Sequence, residues 1–237
     1  MKVSNTGGRT LYVSRFSSWA PGLSGANDWL QWAHGRKESE SSGEAPSLDF
    51  PESRWIVLEQ KEFSLFRRRQ SQISRMTIHV MHEIMPIGEK TKTVFVSFRG
   101  EISQQYKINK TLYEEGTVSP AAFSQSVFNT PPALAAIALG LHQGYTAIYP
   151  AGSCFKTAFQ AAAAGIFSGN DTETVLVYAD ELCPAEYGAL CPRPDKPLAF
   201  AALLSGHAPG IPVFPDMECL NSPQNFLKHL YLKKDVS

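Results

Sequence analysis

The chain has 237 residues, with 22 basic and 22 acidic side chains and a formal net charge of zero at pH 7. This balance excludes the overall positive field that nucleic-acid-binding proteins normally carry. Hydrophobic residues form 43% of the sequence and charged residues only 19%, so the chain can bury a core and is not globally disordered.

No stretch approaches the roughly 20 apolar residues of a membrane-spanning helix, and the first ten residues lack the apolar segment of a signal peptide. The cysteines show neither a CxxC pair nor the cysteine–histidine spacing of a metal site. They are Cys154, Cys183, Cys191 and Cys219. We therefore expect a cytoplasmic protein with reduced thiols, no metal, no cofactor, no membrane span and no nucleic-acid partner.

The first part of the chain predicts a strand over 9–15, a short helix near Trp29 and a flexible polar loop over 35–46. Apolar residues at spacings of three and four predict a helix within 64–85, which Pro86 ends. Branched and aromatic residues then predict a strand over 93–98. A weaker helix follows over 103–115.

The second part begins with a helix-start signal at Ser119 and Pro120. Small-residue helices are predicted over 133–141 and 155–167, with a strand over 145–149 between them. Apolar runs over 174–179 and 198–205 are typical of strands covered on both faces. This order predicts an α/β fold in which every strand after the first joins one mostly parallel, helix-covered sheet. We expect a single domain over 1–237, with a C-terminal extension over 206–237.

The turn that leads to Cys154 connects a predicted strand to a predicted helix. A thiol at such a turn is exposed at a helix N-terminus, which favours the thiolate and can bind an oxyanion through backbone N–H groups. This predicts Cys154 as a candidate catalytic nucleophile. The alternative is a small buried residue between helix and sheet, because cysteine is among the most buried residue types and no base lies nearby in sequence.

Residues 119–129 (SPAAFSQSVFN) resemble the S-P-x-x-(F/V)-x-x-(S/T)-x-x-N segment of β-ketoacyl-acyl-carrier-protein synthases. An apolar helix, a glycine, a short strand and a nucleophile-bearing turn follow, as in that family, and 175–181 (VLVYADE) resembles its next strand. A narrower branch of this family is similar to the chain at two further places, the basic residues at 67–69 and 75 and the segment 19–22 (WAPG). This branch contains short ketosynthase-like proteins of the type II polyketide synthases that make aryl polyenes, often labelled chain-length factors.

The resemblance implies a thiolase-like layered fold, of which this chain is similar only to the N-terminal half. Condensation in the family needs a cysteine that accepts the acyl chain and two histidines from the second half. After Asp180 only 57 residues follow, and neither His207 nor His229 has the expected flanking residues. Counting back from the strand at 175 places Cys154 at the nucleophile position, whereas counting forward from Asn129 points one or two residues earlier. Phe155 would crowd an acyl thioester. The resemblance thus implies a non-catalytic subunit in which Cys154 is inactive.

The implied partner is a full-length β-ketoacyl synthase in polyketide, aryl polyene or fatty-acid-type chain elongation. In the family, the edge strand before the nucleophile pairs across a two-fold axis, and the S-P segment reaches the partner's acyl channel. The residues implied at this interface or tunnel are Ser119, Pro120, Ala121, Ala122, Phe123, Ser126, Phe128, Asn129, Tyr145, Ala147 and Tyr149. Some elongating synthases carry phenylalanine where this chain has Ala121 and Ala122, so we expect more volume for a long chain here.

The basic side chains Arg67, Arg68, Arg69 and Arg75 are candidates for docking an acyl carrier protein, whose phosphopantetheine would be only a substrate arm. The alternative is a solvated helix start. Two other functions remain open: a stand-alone acyltransferase or thioesterase that uses Cys154, and a homodimer that binds acyl chains without chemistry. Asp180 and Glu181 are adjacent in a strand and point to opposite faces, so a structural hydrogen bond or an interface contact is expected rather than joint acid–base catalysis.

Overall fold

The computed structural model describes residues 10–41, 45–46, 70–150, 152, 154–190 and 196–235. Its strands are β1 (Leu11–Trp19), β2 (Lys92–Val96), β3 (Tyr145–Ile148), β4 (Glu173–Asp180), β5 (Leu198–Ser205) and β6 (Ile211–Val213). Its helices are α1 (Gly25–Ala33), α2 (Gln72–Glu83), α3 (Ile102–Glu115), α4 (Pro120–Ser124), α5 (Thr130–Leu139), α6 (Phe155–Ser168) and α7 (Pro223–Lys234). Short 3-10 turns occupy Ala185–Leu190 and Glu218–Asn221.

All six strands form one sheet with the order β3-β2-β4-β5-β1-β6. The strands β3, β2 and β4 are parallel, whereas the pairs β4/β5, β5/β1 and β1/β6 are antiparallel. The expected mostly parallel sheet is therefore corrected to a mixed one, and the first strand lies inside the sheet rather than apart from it. Local patterns could not show this, because β1 pairs with a strand about 190 residues away in sequence.

Helices cover both faces of the sheet, as the layered α/β prediction requires. Alternate residues of β4 and β5 point to opposite faces, so Leu176 and Phe200 join one core while Val177 and Ala201 join the other. The first core lies under α1, α6 and α7, and the second under α2 and α5. Every residue of β5 is buried, which confirms the interpretation of its continuous apolar run.

Two helices begin at serine N-caps, of which the sequence predicted the one at Ser119. Ser119 accepts a hydrogen bond from the N–H of Ala122 at the start of α4, with Pro120 in the first helical position. The N-cap of α2 is Ser71, which accepts from the N–H of Ser74 at 3.1 Å. Within the described residues α2 is shorter than the predicted segment, and α5 starts earlier than expected because its first turn tolerates two prolines.

The C-terminal residues complete the first core instead of extending from it. Phe226 of α7 is fully buried, and its ring centroid lies 5.6–5.7 Å from those of Phe155, Phe159 and Phe200. The strand β6 adds to the sheet beside β1. Residues 206–235 are therefore an integral part of this layer, which the expected C-terminal extension did not anticipate.

The first half of the predicted flexible loop is held against α1. The Arg36 N–H donates to the Gln31 carbonyl at 2.8 Å, and the Lys37 ammonium lies 2.8 Å from the Asp28 carboxylate. The N–H of Glu40 donates to the Pro21 carbonyl. Local polar composition does not reveal these contacts, and the flexibility of the loop over 35–46 stays a prediction. Residues 42–44 lie outside the described part.

The oxidation state of one cysteine also differs from the expectation. Cys183, just after β4, is disulfide-bonded, whereas Cys154 and Cys219 are free thiols. The prediction of reduced cysteines is thus wrong at Cys183, because spacing along a sequence does not reveal which sulfur atoms meet in space. Cys191 lies outside the described residues. Among the described helices, none is both long and apolar enough to cross a membrane.

Candidate functional site

The carboxyl ends of β2, β3 and β4 meet at one edge of the sheet, because these three strands are parallel. Ligand and catalytic sites of α/β sheets commonly lie beyond this edge. Here the edge carries Ser97 after β2, the turn to Cys154 after β3, and Glu181 after β4. The candidate site is therefore built from the loops that follow these strands.

Cys154 occupies the N-cap position of α6 in an extended conformation. Its side chain is exposed and makes no capping hydrogen bond. Its carbonyl accepts hydrogen bonds from the N–H and the hydroxyl of Thr157, at 3.2 and 2.7 Å. The alternative of a buried structural cysteine is wrong, because the side chain projects from the helix start into solvent.

Phe155 does not crowd the thiol. Its side chain is fully buried and packs among aromatic rings of the first core, including Tyr178 and Phe200. The expected obstruction of a thioester by Phe155 is therefore not borne out by its position. The helix turns this ring inward while it leaves Cys154 outward, a difference that only the helix orientation on the sheet decides.

None of the described residues forms a hydrogen bond to the Cys154 thiol. His207 follows β5 at the far end, where Ser205 pairs with Glu173 at the start of β4. Strand rise places that end about 20–25 Å from the carboxyl edge. His229 hydrogen-bonds to the backbone at Pro212 in β6, which lies at the same far end. The two C-terminal histidines and Cys154 are thus not brought together.

Asp180 fastens the loop that follows β2. Its carboxylate accepts hydrogen bonds from the Ser97 hydroxyl at 2.5 Å, the Tyr178 hydroxyl at 2.8 Å, and the backbone N–H groups of Phe98 and Arg99 at 3.1 Å. Only 3% of the residue is exposed. Burial raises the pKa of Asp180, and the Ser97 and Tyr178 hydroxyls, the Phe98 N–H and the charge of Arg99 oppose that rise. This confirms the expectation of structural hydrogen bonds.

Two further buried glutamates lie at the same edge. Glu181 accepts a hydrogen bond from the Ser103 N–H in the first turn of α3 at 3.0 Å. Glu101 accepts hydrogen bonds from the Ser71 and Ser74 hydroxyls, both at 2.7 Å. Burial raises the pKa of Glu101 to about 7. No local sequence pattern marks Glu101, because the two serines that it contacts lie 30 and 27 residues away in sequence.

The segment 119–129 packs beside this edge. Phe128 packs against Phe95 with ring centroids 6.1 Å apart, and it lies so close to Gly100 that an added Cβ there would be 2.6 Å from its ring. Gly100 has a φ of +59°, which favours glycine independently. The Asn129 amide donates to the Tyr145 hydroxyl at 3.1 Å, which links this segment to β3.

The implied interface residues differ in exposure. Phe123 is 61% and Tyr149 63% exposed, whereas Ser126 is buried and donates to the Phe123 carbonyl. Exposed or partly exposed side chains belong to Ser119, Pro120, Ala121, Ala122, Phe128, Asn129, Tyr145 and Ala147. The strand β3 is an edge strand within the described sheet, with β2 as its neighbour. The predicted interface residues therefore lie in one region of the protein surface, apart from Ser126, which is buried.

The candidate docking arginines are only partly described. Residues 67–69 lie outside the described part. Arg75 on α2 is half-buried, and its Nε donates to the Pro46 carbonyl at 3.1 Å. One nitrogen of its guanidinium thus holds a neighbouring segment of the chain. Among described residues, no group of three His, Cys, Asp or Glu side chains is placed to hold a metal ion.

Comparisons with protein families and with solved structures show which proteins this chain resembles. A family model for the β-ketoacyl synthase N-terminal domain matches residues 29–221. A chain from the ketosynthase ApeO in complex with its chain length factor ApeC, from Xenorhabdus doucetiae, has a TM-score of 0.69 and 22% identity. The match covers 84% of this chain and 80% of that one. No curated protein sequence matches the chain.

Two further solved structures share the fold at lower similarity. The ishigamide ketosynthase/chain length factor has a TM-score of 0.60 and 13% identity, covering 83% of this chain and 62% of that one. AntDE:AntF, a type II polyketide synthase acyl-carrier protein in complex with its hexaketide-bound ketosynthase, has a TM-score of 0.57 and 14% identity. That match covers 84% of this chain and 63% of that chain. The thiolase-like fold implied by the resemblance is confirmed, and this chain spans less than two thirds of these two chains.

Proposed function

Because this chain belongs to the family of β-ketoacyl synthase N-terminal domains, we propose that it is a non-catalytic, chain-length-factor-like subunit of a full-length β-ketoacyl synthase. The partner supplies the working cysteine and histidines, and this subunit helps to set the extent of polyketide, aryl polyene or fatty-acid-type chain growth. One observation carries the proposal. The Cys154 thiol is exposed, and no described residue hydrogen-bonds to it, so no described side chain is placed as the activating base that nucleophilic catalysis needs.

The structural comparison supports this assignment. The match to a chain of the ApeO–ApeC complex covers 84% of this chain and 80% of that one. That complex joins a ketosynthase to its chain length factor, and a subunit of such a complex is what we propose.

The edge strand β3 provides a surface for the partner. Gly144 and Ile148 direct their carbonyls to β2, where the N–H groups of Thr93 and Ser97 donate to them. By strand alternation, the N–H and carbonyl groups of Tyr145 and Ala147 point away from the sheet. The opposite edge, β6, is only three residues long and contains a proline, which protects it from pairing. In the part of the chain that the structure describes, the longer β3 has no such protection, so it favours pairing with another strand.

We expect Ala147→Pro to weaken association with a co-expressed full-length synthase at least tenfold. Proline removes an outward N–H donor, and its ring interferes with a strand that approaches this edge. Binding is measured by co-purification and by titration of the purified partners. Thr146→Ala is the matched control, because Thr146 directs its backbone groups to β2 and its side chain is exposed.

Thermal unfolding of each variant separates loss of pairing from loss of folding. If Ala147→Pro unfolds on its own, Tyr149→Ala tests the same surface, since this exposed side chain directly follows β3. Undiminished binding by folded Ala147→Pro and by Tyr149→Ala would show that β3 is not the pairing edge. A stable homodimer that excludes the synthase would favour the homodimer hypothesis instead.

The segment 119–129 is the part that we place toward the partner's acyl channel. Ala121 is exposed and Ala122 half-exposed, so their small side chains leave volume for a long acyl chain in that arrangement. Docking of an acyl carrier protein through residues 67–69 stays a prediction. Arg75 contributes less to it, because its Nε already holds the Pro46 carbonyl.

The second candidate is an acyltransferase or thioesterase, which the exposed thiol at the start of the 14-residue helix α6 favours. A Cys154→Ala variant tests it. We expect the synthase complex to retain activity within about twofold, since the partner's cysteine does the chemistry. We also expect an acyl-thioester analogue to label Cys154 of the isolated chain no faster than it labels a small free thiol such as glutathione at the same pH. Labelling of Cys154 that is faster than this free thiol, together with loss of activity in Cys154→Ala, would support the enzyme.

A further inference from the structure

Helix α3 is attached to the rest of the chain in an unusual way. None of its 14 residues is buried. Its last turn carries Leu112, which is 51% exposed, and Tyr113, which is 93% exposed. Most helices in proteins are stabilised by packing of an apolar face. The position of α3 must therefore depend on a small number of contacts near its N-terminus.

Polar contacts dominate at that end. Glu181 accepts a hydrogen bond from the Ser103 N–H in the first turn of α3. Glu101 occupies the N-cap position of α3, and its carboxyl reaches the Ser71 and Ser74 hydroxyls at the start of α2. One turn further on, the Gln105 amide donates to the Ser126 carbonyl at 3.2 Å. Glu101 is thus a direct side-chain link between α3 and α2.

The Glu101 carboxyl is only half satisfied. Both serine hydroxyls donate to Oε1, whereas Oε2 is buried without a hydrogen-bond partner. The residue has no exposed surface. An ionised carboxylate needs donors at both oxygens, and burying one that lacks them is costly. The protonated form of Glu101 is therefore compatible with this arrangement, while the ionised form favours movement toward water.

We propose that Glu101 is a proton-dependent clasp that holds α3 against α2. When protonated, Glu101 keeps the first turn of α3 in place; when ionised, it releases that turn so that the carboxylate can be hydrated. Because α3 packs on α4, the clasp controls the order of the exposed surface formed by Leu112, Tyr113 and Phe123. This adds a regulatory element to the proposed function, which places α4 at the partner interface.

Some of the charged groups around Glu101 raise its pKa and others lower it. Glu181 raises the pKa of Glu101, and Lys107 on α3 lowers it, as do the two serine hydroxyls. The Arg99 guanidinium donates to the Glu181 carbonyl at 3.1 Å. On α2, the Nε of Arg75 donates a hydrogen bond to the Pro46 carbonyl.

Burial is the largest influence and raises the pKa of Glu101 from 4.5 to about 7. The folded state therefore binds the proton more tightly than the open state does. The resulting stabilisation of the clasp is fully present below about pH 4.5 and is lost as pH rises through about 7.

Backbone hydrogen exchange of α3 tests the clasp without any partner. After correction for intrinsic exchange rates, we expect the protection of α3 amides to fall about tenfold between about pH 6 and about pH 8. Glu101→Gln should abolish this loss, because the amide cannot ionise. Glu115→Gln on the exposed last turn of α3 is the matched control and should retain it. If Glu101→Gln does not fold, Ser74→Ala should move the loss to higher pH, because it removes a donor that favours the ionised form.

Several results would overturn the clasp: protection that does not change with pH, an unchanged pH dependence in Glu101→Gln, or an equal loss of protection in β4 and β5. Equal loss would mean that the whole domain, not α3, responds to pH. Since the measurement uses the isolated chain, a failure here leaves the pairing experiment on β3 unaffected, and the reverse also holds.

Discussion

Asp180→Ala is expected to lower the free energy of unfolding by about 3–5 kcal/mol. The carboxylate accepts hydrogen bonds from the hydroxyls of Ser97 and Tyr178 and from the backbone N–H groups of Phe98 and Arg99. Alanine would leave these donors without an acceptor in a buried site, and each unsatisfied donor costs about 1–3 kcal/mol. Urea unfolding at neutral pH measures the change.

Two further variants test whether the loss of stability arises from the acceptor oxygens of Asp180. Asp216→Ala removes an exposed carboxylate of the same kind and should change stability by less than about 0.5 kcal/mol. Asp180→Asn keeps one acceptor oxygen but turns an amide N–H₂ toward groups that are themselves donors, so it should also destabilise the chain. A loss below about 1 kcal/mol for Asp180→Ala would contradict the assignment of Asp180 as the acceptor that organises the loop after β2.

Phe226→Ala is expected to cost about 3–5 kcal/mol of stability, the usual range for a fully buried phenylalanine. Its ring contacts three other phenylalanines, two from α6 and one from β5, so its removal leaves a cavity that the rigid sheet cannot fill. The comparison variant is Asn225→Ala, one residue earlier in α7 and exposed, which should be close to neutral.

The Phe226 result also concerns domain organisation. The family model ends at residue 221, before α7 begins. A large loss of stability with an unchanged dependence on urea would show that α7 is part of one cooperative unit with the matched region. If Phe226→Ala has the same free energy of unfolding as the chain without the substitution, α7 is not required for the stability of the core.

Much of the fold follows from local sequence patterns. The apolar runs of β4 and β5 predict strands covered on both faces, because an exposed strand of that composition would be unstable in water. The spacing of Ile73, Met76 and Val80 identifies the buried face of α2, and all three are fully buried. The segment 119–129 carries the resemblance to the ketosynthase family, which the family model supports.

Other features depended on contacts between distant residues. The pairing of β1 with β5 joins the two ends of the chain, and neither strand contains a local signal for its neighbour. The place of Phe226 in the core also depends on such contacts, with Phe159 of α6 and Phe200 of β5. Glu101 was overlooked because a single glutamate in a sequence is ordinarily solvated. It becomes unusual only when α2 packs over it.

Residue types at short spacings were sufficient to predict the helices, the buried strands, the family and the candidate nucleophile. The folded chain was needed to show that Cys154 is exposed while Phe155 is buried, that β3 lies at an edge of the described sheet, and that Asp180 and Glu101 are removed from water. Exposure, hydrogen bonding and proton affinity are properties of a residue's surroundings. Those surroundings are assembled from segments far apart in the chain, so they exist only once it has folded.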